Sequence, residues 1–528
     1  MSLELEADFL LTPYPLPAIQ MIIIQVTGEG MEKMRVPIWL VVITSLVVLQ
    51  GLRAANGGNQ LSGVSISKET ETCIECHRMF SPGVVRDWEK SRHAVTTPNH
   101  ALSKPAEQRR ISAEQFPQNL SGVVVGCYEC HSLNAGVHKD HFDHFEMKIN
   151  VIVSPNDCKV CHAREAEEYG SSKKAHALAN LDKNPVYSVL VDSITGGKTI
   201  KGGKMVNLGP SENAKKETCY ACHGTEVQVK GMKKISTDLG EIEVPDLSNL
   251  PNHGVGRVNP DGSRGACSAC HARHSFSIEV ARKPYTCSQC HLEPDIPAYN
   301  VYMESKHGNI FSSKHQQWKF DSVPWVLGKD FTAPTCATCH NSLVVDENGQ
   351  VLQHRNHDFG SKLWVRIFGL IYSHPQPKDG RTYLIKNKDG LPLPVTFGGD
   401  MASEYLIDKK EQEKRLAAME KTCRACHSRS WTEGHFNKFA VTLVETDKMV
   451  ATSTILLGDA WKKGLADRKN PFDEHGEHLW LKQWLFFGNS VRYGSAMSGP
   501  DYTAFKNGWW ELSSNLERMR SLVHERKK

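Results

Sequence analysis

The chain has no cysteine to spare. All 16 of its cysteines fall inside Cys-x-x-Cys-His pentapeptides, which leaves none for a disulfide, a zinc site or a free thiol. Lysine-rich or arginine-rich stripes are also missing. With 63 basic against 59 acidic residues the formal charge is only +4, and no nucleic-acid footprint is present. Strand signals are few, the clearest being Val123–Val125 and Thr382–Ile385, so a sheet-built fold is excluded. The longest apolar run, Val36 to Leu49, falls short of the roughly 20 residues that a membrane-spanning helix needs.

What is present is one pentapeptide, eight times over. It reads CIECH at Cys73, Cys76 and His77; CYECH at Cys127, Cys130 and His131; CKVCH at Cys158, Cys161 and His162; and CYACH at Cys219, Cys222 and His223. The second four are CSACH at Cys267, Cys270 and His271; CSQCH at Cys287, Cys290 and His291; CATCH at Cys336, Cys339 and His340; and CRACH at Cys423, Cys426 and His427. Two thiols three residues apart each add to one vinyl group of a haem, and the adjacent imidazole then lies under the iron as its proximal ligand. Zinc knuckles or a thioredoxin-like pair would leave the repeated histidine unexplained. Eight covalently bound haems c are therefore expected. Their propionates would turn the surface acidic and steer a small basic redox partner toward it.

Residues 31–55 read as a secretory signal, with Lys33 and Arg35 ahead of the apolar stretch and small residues at Leu52-Arg53-Ala54-Ala55. Residues 1–30, with Glu4, Glu6 and Asp8, are atypical of an export signal and read as an extension from a start codon placed too far upstream. Haem attachment to such motifs takes place outside the cytoplasm, in agreement with export. No transmembrane anchor is expected in the mature chain.

Length alone suggests several domains, but haems spread along residues 56–430 would knit them into one octahaem-binding region, followed by a helical region over 431–528. The expected fold is mainly α: a multihaem cytochrome c fold with a haem-packed core, few short strands and long C-terminal helices. Asp408 to Cys423 should form a helix carrying the eighth motif. Gly196-Gly197, Gly202-Gly203, Pro260-Asp261-Gly262 and Gly398-Gly399 mark loops. Trp509, Leu512, Leu516, Met519 and Val523 form a narrow apolar seam, suited to packing on its own subunit or on a neighbour.

An electron-passing haem normally takes a second axial protein ligand. Of the seventeen histidines outside the motifs, five occur beside basic or histidine neighbours typical of ligands: His93 in Ser-Arg-His-Ala, His176 in Lys-Ala-His-Ala, His274 three residues beyond His271, His307 in Ser-Lys-His-Gly, and His144 in the run His138, His141, His144. His357, beside His354, is a sixth candidate. His100, His475, His478 and His524 read as solvated; His253, His374 and His435 are not placed by their surroundings.

In these features the chain resembles the octahaem hydroxylamine oxidoreductases, including the hydroxylamine and hydrazine dehydrogenases of anaerobic ammonium oxidisers. The resemblance rests on the uneven order of the eight motifs, on Cys270 to His274, on Ser305 to Gly308, and on Gly499-Pro500-Asp501-Tyr502 ahead of a final helix. It implies that the fourth haem, on Cys219, Cys222 and His223, is catalytic with an open distal position, and that seven haems are wiring. It implies, in oxidative members, a bond from that haem to a tyrosine of a neighbouring subunit in a homotrimer, for which Tyr502 matches best and Tyr493 is the fallback. Asp295 is the implied proton-handling residue, although Ile296 stands where the family carries a histidine.

The activity implied is oxidation of hydroxylamine to nitric oxide or of hydrazine to dinitrogen, with a small soluble cytochrome c as electron acceptor, in the periplasm or anammoxosome lumen. A reductive enzyme making ammonia from nitrite or hydroxylamine, and a non-enzymatic electron conduit with eight doubly ligated irons, are the competing readings.

Overall fold

The computed structural model describes residues 63–238 and 240–524. The expected upstream extension, 1–30, and export signal, 31–55, lie outside the described residues. From Gly63 onward the chain forms one unit, as haem-knit motifs require.

Each motif is local in its geometry. Cys127–His131, Cys219–His223 and Cys336–His340 are single helical turns. Residues i, i+3 and i+4 of a helix share a face, so both thiols and the imidazole point the same way. The first motif lies within α1 (Lys68–Phe80), which starts where the Ser67 side chain accepts from the Thr70 amide. Helices α2 (Pro82–Glu89), α3 (Ala163–Ser171) and α4 (Ala298–Glu304) follow the first, third and sixth motifs. Helix α5 (Lys409–Cys423) begins as expected at Asp408, which accepts from the Glu411 amide, and delivers the eighth motif.

The C-terminal region is built on α6 (Arg429–Lys462), α7 (His475–Lys482), a π-helical turn at Gln483–Gly488, α8 (Asn489–Met497) and α9 (Trp509–His524). Val450 and Leu457 of α6, Trp480 of α7, Trp484 of the π-helical turn and Met519 of α9 form one buried cluster. The α9 seam is therefore largely satisfied within the chain: Leu512, Met519 and Val523 are buried, while Trp510 on the opposite face is 63% exposed. At the α9 centre Asn515, not Leu516, faces inward and bonds to Leu479 and Gln483.

The sheets are small: hairpins β1 (His141–His144) with β2 (Met147–Asn150), β3 (Gly197–Lys201) with β4 (Lys204–Gly209), and β5 (Gln228–Thr237) with β6 (Gly240–Ser248). A three-stranded sheet joins β7 (Trp325–Val326), β8 (Val344–Val345) and β9 (Val351–Gln353), and β10 (Val365–Arg366) pairs with β11 (His374–Pro375). Gly202 and Gly203 turn the second hairpin at φ +57° and +74°, conformations open to glycine at little cost. Neither expected strand forms. Val124 and Val125 donate to Ser65 and His93 in two unrelated segments, so no ladder develops, and Thr382–Leu384 is a 3₁₀ turn.

Arg492 of α8 joins this region to the haem-bearing part. Its side chain is 1% exposed, meets Asp447 of α6 at 2.5 Å and donates to the carbonyls of Ile367 and Ile371. Truncation would leave a carboxylate and two carbonyls without their partner. Arg492→Ala is expected to lower the unfolding free energy by about 3–5 kcal/mol, seen as a lower denaturant midpoint at unchanged slope.

Candidate functional site

A branched cavity of about 1750 Å³ runs through the interior. Its wall includes both cysteines and the histidine of the third to eighth motifs, and Cys130 of the second. The proximal imidazoles are held by backbone carbonyls: Nδ1 of His131 donates to Asn150, that of His223 to Ala177 and that of His340 to Phe359. This fixes the tautomer and leaves Nε2 free to coordinate. Burial keeps the rings neutral, pushing His93 and His271 down to about 4 and His291 to about 3.

The residues fit haem by a direct geometric test. An iron bridging two imidazoles through bonds of about 2 Å sets the ring centres about 6 Å apart. His77 and His144 lie 6.3 Å apart, His162 and His93 6.2 Å, and His427 and His307 6.0 Å. His274 is close enough to His131, and His357 to His271, for their charges to interact. Buried Nδ1 atoms of His93 and His357 have no protein hydrogen-bond partner.

His176 behaves differently. It is absent from the cavity wall, its neighbouring charges are Arg264, Asp379 and Arg381, and its Nδ1 is a further buried orphan. The unplaced histidines are now located. His253 accepts from Arg273; His374 is buried with Nδ1 donating to Pro375; His435 stacks on Trp431, which stacks in turn on His427. His100, His475 and His524 are exposed and His478 half-buried.

Motif neighbours in space do not follow the sequence. The thiols of Cys158 and Cys267 meet, as do those of Cys222 and Cys290 and those of Cys287 and Cys336. Cys73 acts on Cys127, Cys161 on Cys130, Cys287 on Cys270 and Cys339 on Cys423. The motifs thus connect in the order one, two, three, five, six, seven, eight, and the fourth joins as a branch beside the sixth.

That branch has the most unusual surroundings. Gly224, with φ +89°, follows His223, and a Cβ there would lie 2.4 Å from the Arg257 amide. Glycine lets the chain double back tightly behind the motif. Asp295, Arg366 and Tyr493 all line the cavity here. Asp295 and Arg366 both act on the His223 imidazole and both act on Tyr493. Burial raises the Asp295 carboxyl above the usual range, and its backbone carbonyl accepts from Asn489. Arg366 donates Nε to the Phe368 carbonyl and stacks on that ring, with no carboxylate partner among the described residues.

Tyr502 is bonded within its own chain. It is 3% exposed, its hydroxyl donates to Glu293 of the same chain at 2.8 Å, and it is not on the cavity wall. The fallback Tyr493 lines the cavity of its own chain, where Asp295 and Arg366 both act on it. Ile296 packs in the apolar cluster of Val301, Tyr493 and Tyr502. Arg366 carried no sequence signal, since an isolated Val-Arg-Ile stretch reads as an ordinary strand.

Comparison with known proteins bears on the same features. A family profile described as "Seven times multi-haem cytochrome CxxCH" matches residues 259–356, and one described as "Cytochrome c554 and c-prime" matches residues 157–243. A solved structure titled "Hypothetical multiheme protein" is 42% identical, superposes with a TM-score of 0.83, and is matched over 89% of this chain and 99% of its own. A Kuenenia stuttgartiensis reducing HAO-like protein complex shares the fold at TM-score 0.56 and 17% identity, over 87% of this chain and 85% of that one. A probable nitrite reductase-hydroxylamine oxidoreductase fusion protein of Kuenenia stuttgartiensis is 25% identical over 285 residues, 51% of this chain. The chain spans about a quarter of that relative's length, 25%.

Proposed function

This chain belongs to the multihaem c-type cytochromes, and from that premise we propose that it is an oxidoreductase of small nitrogenous molecules, working reductively at the fourth motif to carry nitrite or hydroxylamine toward ammonia. The observation that carries the direction is Arg366: an unpaired guanidinium facing His223 and Tyr493 suits an anionic nitrogen oxide. A haem held by Cys219, Cys222 and His223 would supply the redox chemistry, with the sixth motif beside it, where Cys290 meets Cys222.

The chain's own residues do the rest. Arg366 holds and orients the anion, Asp295 delivers protons, and Tyr493 with Phe368 walls the site from water. Reduction consumes protons as well as electrons, and a carboxyl that keeps its proton above the usual range is a suitable donor. A small soluble cytochrome exchanging electrons at the end of the motif chain completes the reading.

Arg366→Gln is expected to raise KM for nitrite about 10- to 100-fold, the loss of one charge-assisted hydrogen bond of about 1.5–3 kcal/mol. KM for uncharged hydroxylamine should stay within about twofold of wild type on the same scale. Equal effects on both substrates would remove the anion-binding role.

The opposite direction, oxidation of hydroxylamine to nitric oxide or hydrazine to dinitrogen in a homotrimer, is favoured by one observation: Tyr493 lines the cavity beside Asp295. It requires a haem bonded to a tyrosine of a neighbouring subunit, for which Tyr502 matches best and Tyr493 is the fallback. Mass spectrometry of the haem peptide containing Cys219 to His223 separates the two. An ordinary haem c mass supports reduction, and a haem joined to a second, tyrosine-containing peptide supports oxidation.

A further inference from the structure

Among the described residues neither His291 of the sixth motif nor His340 of the seventh has a histidine ring paired with it as His77, His162 and His427 have, and the place opposite His291 is open to another residue. Three turns of the chain explain what takes that place. Each begins with an aromatic residue, and three positions later a serine donates its amide to that residue's carbonyl: Ser91 to Trp88 at 2.8 Å, Ser172 to Tyr169 at 2.9 Å, and Ser305 to Tyr302 at 3.0 Å. All three serines are buried, at 2%, 3% and 3% exposure.

Each serine Oγ then accepts from the amide three residues on, of Ala94 at 3.2 Å, Ala175 at 3.5 Å and Gly308 at 3.2 Å. The turns read Ser-Arg-His-Ala, Ser-Lys-Lys-Ala and Ser-Lys-His-Gly. Serine, a basic residue, the inward residue and a small residue recur in register. The first and third turns present His93 and His307 to His162 and His427. In the second turn the equivalent position is Lys174.

Lys174 lines the cavity and His176, two residues on, does not. The Lys174 ammonium has no carboxylate or carbonyl partner among the described residues; its nitrogen lies 4.7 Å from the centre of the Phe359 ring. Its charge acts on His291, Cys287 and Cys290 of the sixth motif, and also on Cys270 of the fifth and His340 of the seventh, so it stands among these three motifs, with the sixth, whose two thiols and imidazole all feel it, at the centre. A lysine amine without its proton is a nitrogen donor of the same class as imidazole.

We propose that Lys174, not His176, is the second axial ligand of the haem on the sixth motif, opposite His291, which makes the haem next to the catalytic branch chemically distinct from its histidine-paired neighbours. This rests on the chain carrying haem at that motif, which the mass of the Cys287 to His291 peptide reports separately.

The experiment is resonance Raman and low-temperature electron paramagnetic resonance of the purified, fully loaded protein and its variants. Lys174→Arg, which keeps the charge but does not ligate, should add one high-spin haem per chain at unchanged haem content. Lys174→His should restore the low-spin count with a bis-imidazole signal, and His176→Ala should leave the wild-type spectrum. A Lys174→Arg spectrum identical to wild type would make Lys174 a counter-charge for a propionate and overturn the proposal. So would a new high-spin haem in His176→Ala. If the sixth-motif peptide carries no haem, the proposal falls together with the haem reading of that motif.

Discussion

Asp295→Asn is expected to lower kcat for nitrite or hydroxylamine reduction about 10²- to 10⁴-fold, the usual contribution of a positioned proton donor, with a much smaller change in KM. The side chain opens into the cavity at the fourth motif, and its charge acts on His223. Burial is the main cause of its raised pKa, opposed by backbone hydrogen bonds and by His223.

The sign of the pH dependence follows. The protonated carboxyl is the active donor, so kcat/KM should be highest below the raised pKa and fall as pH climbs through it. Asparagine cannot titrate, and its profile should lose that limb. Were Asp295 instead a base for oxidation, activity would rise over the same interval. A profile of Asp295→Asn that keeps the wild-type limb would show that another group delivers the proton.

The fold class was legible because its signals are local. Each motif sets its thiols and imidazole together locally, in a short turn or within a longer helix such as α1, and Asp408 marks the start of α5 as a side-chain cap does. His93, His144 and His307, marked by their sequence neighbours, lie with their rings about 6 Å from those of His162, His77 and His427. What the sequence concealed is non-local. The order in which motifs meet, with the fourth branching at the sixth, depends on Cys222 reaching Cys290 and Cys158 reaching Cys267 across long separations. Arg366 has no motif at all, because its role comes from β10 delivering it beside Tyr493.

The register of Lys174 is not legible locally either, because it comes from the Ser172 cap of a turn that exists only in the folded chain. The apolar seam of α9 had two compatible partners, and the choice between them belongs to the packing of Met519 against α6 and α7 rather than to the seam.

A second large effect is expected at the junction of the second and third motifs. His138 lies between Asp140 and Asp157, at 3.1 and 3.2 Å, and all three side chains are buried. Burial alone would lower the imidazole's pKa, but hydrogen bonds to both carboxylates outweigh it and lift the value from 6.5 to about 10. Asp157 is likewise lowered despite its burial, by His138, Ser154 and Asn134. The charged cluster anchors the turn that carries Cys158: Asp157 accepts from the Ser154 amide at its start, and Asp140 accepts from the Ile152 amide.

His138→Gln would leave two buried carboxylates facing each other and should cost about 3–5 kcal/mol. Because the folded pKa lies above the unfolded one, the wild-type advantage should be full below pH 6.5 and decline as pH rises toward about 10. On the acid side it should persist above the ordinary aspartate value of 3.8 and be lost as pH falls through the lowered value of Asp157. Denaturant midpoints of the two haem-loaded proteins between pH 4 and pH 10 measure the difference directly. A gap that stays constant to the alkaline end would mean that His138 contributes as a neutral hydrogen-bonding group, and that the second and third haems are not held together through an imidazolium.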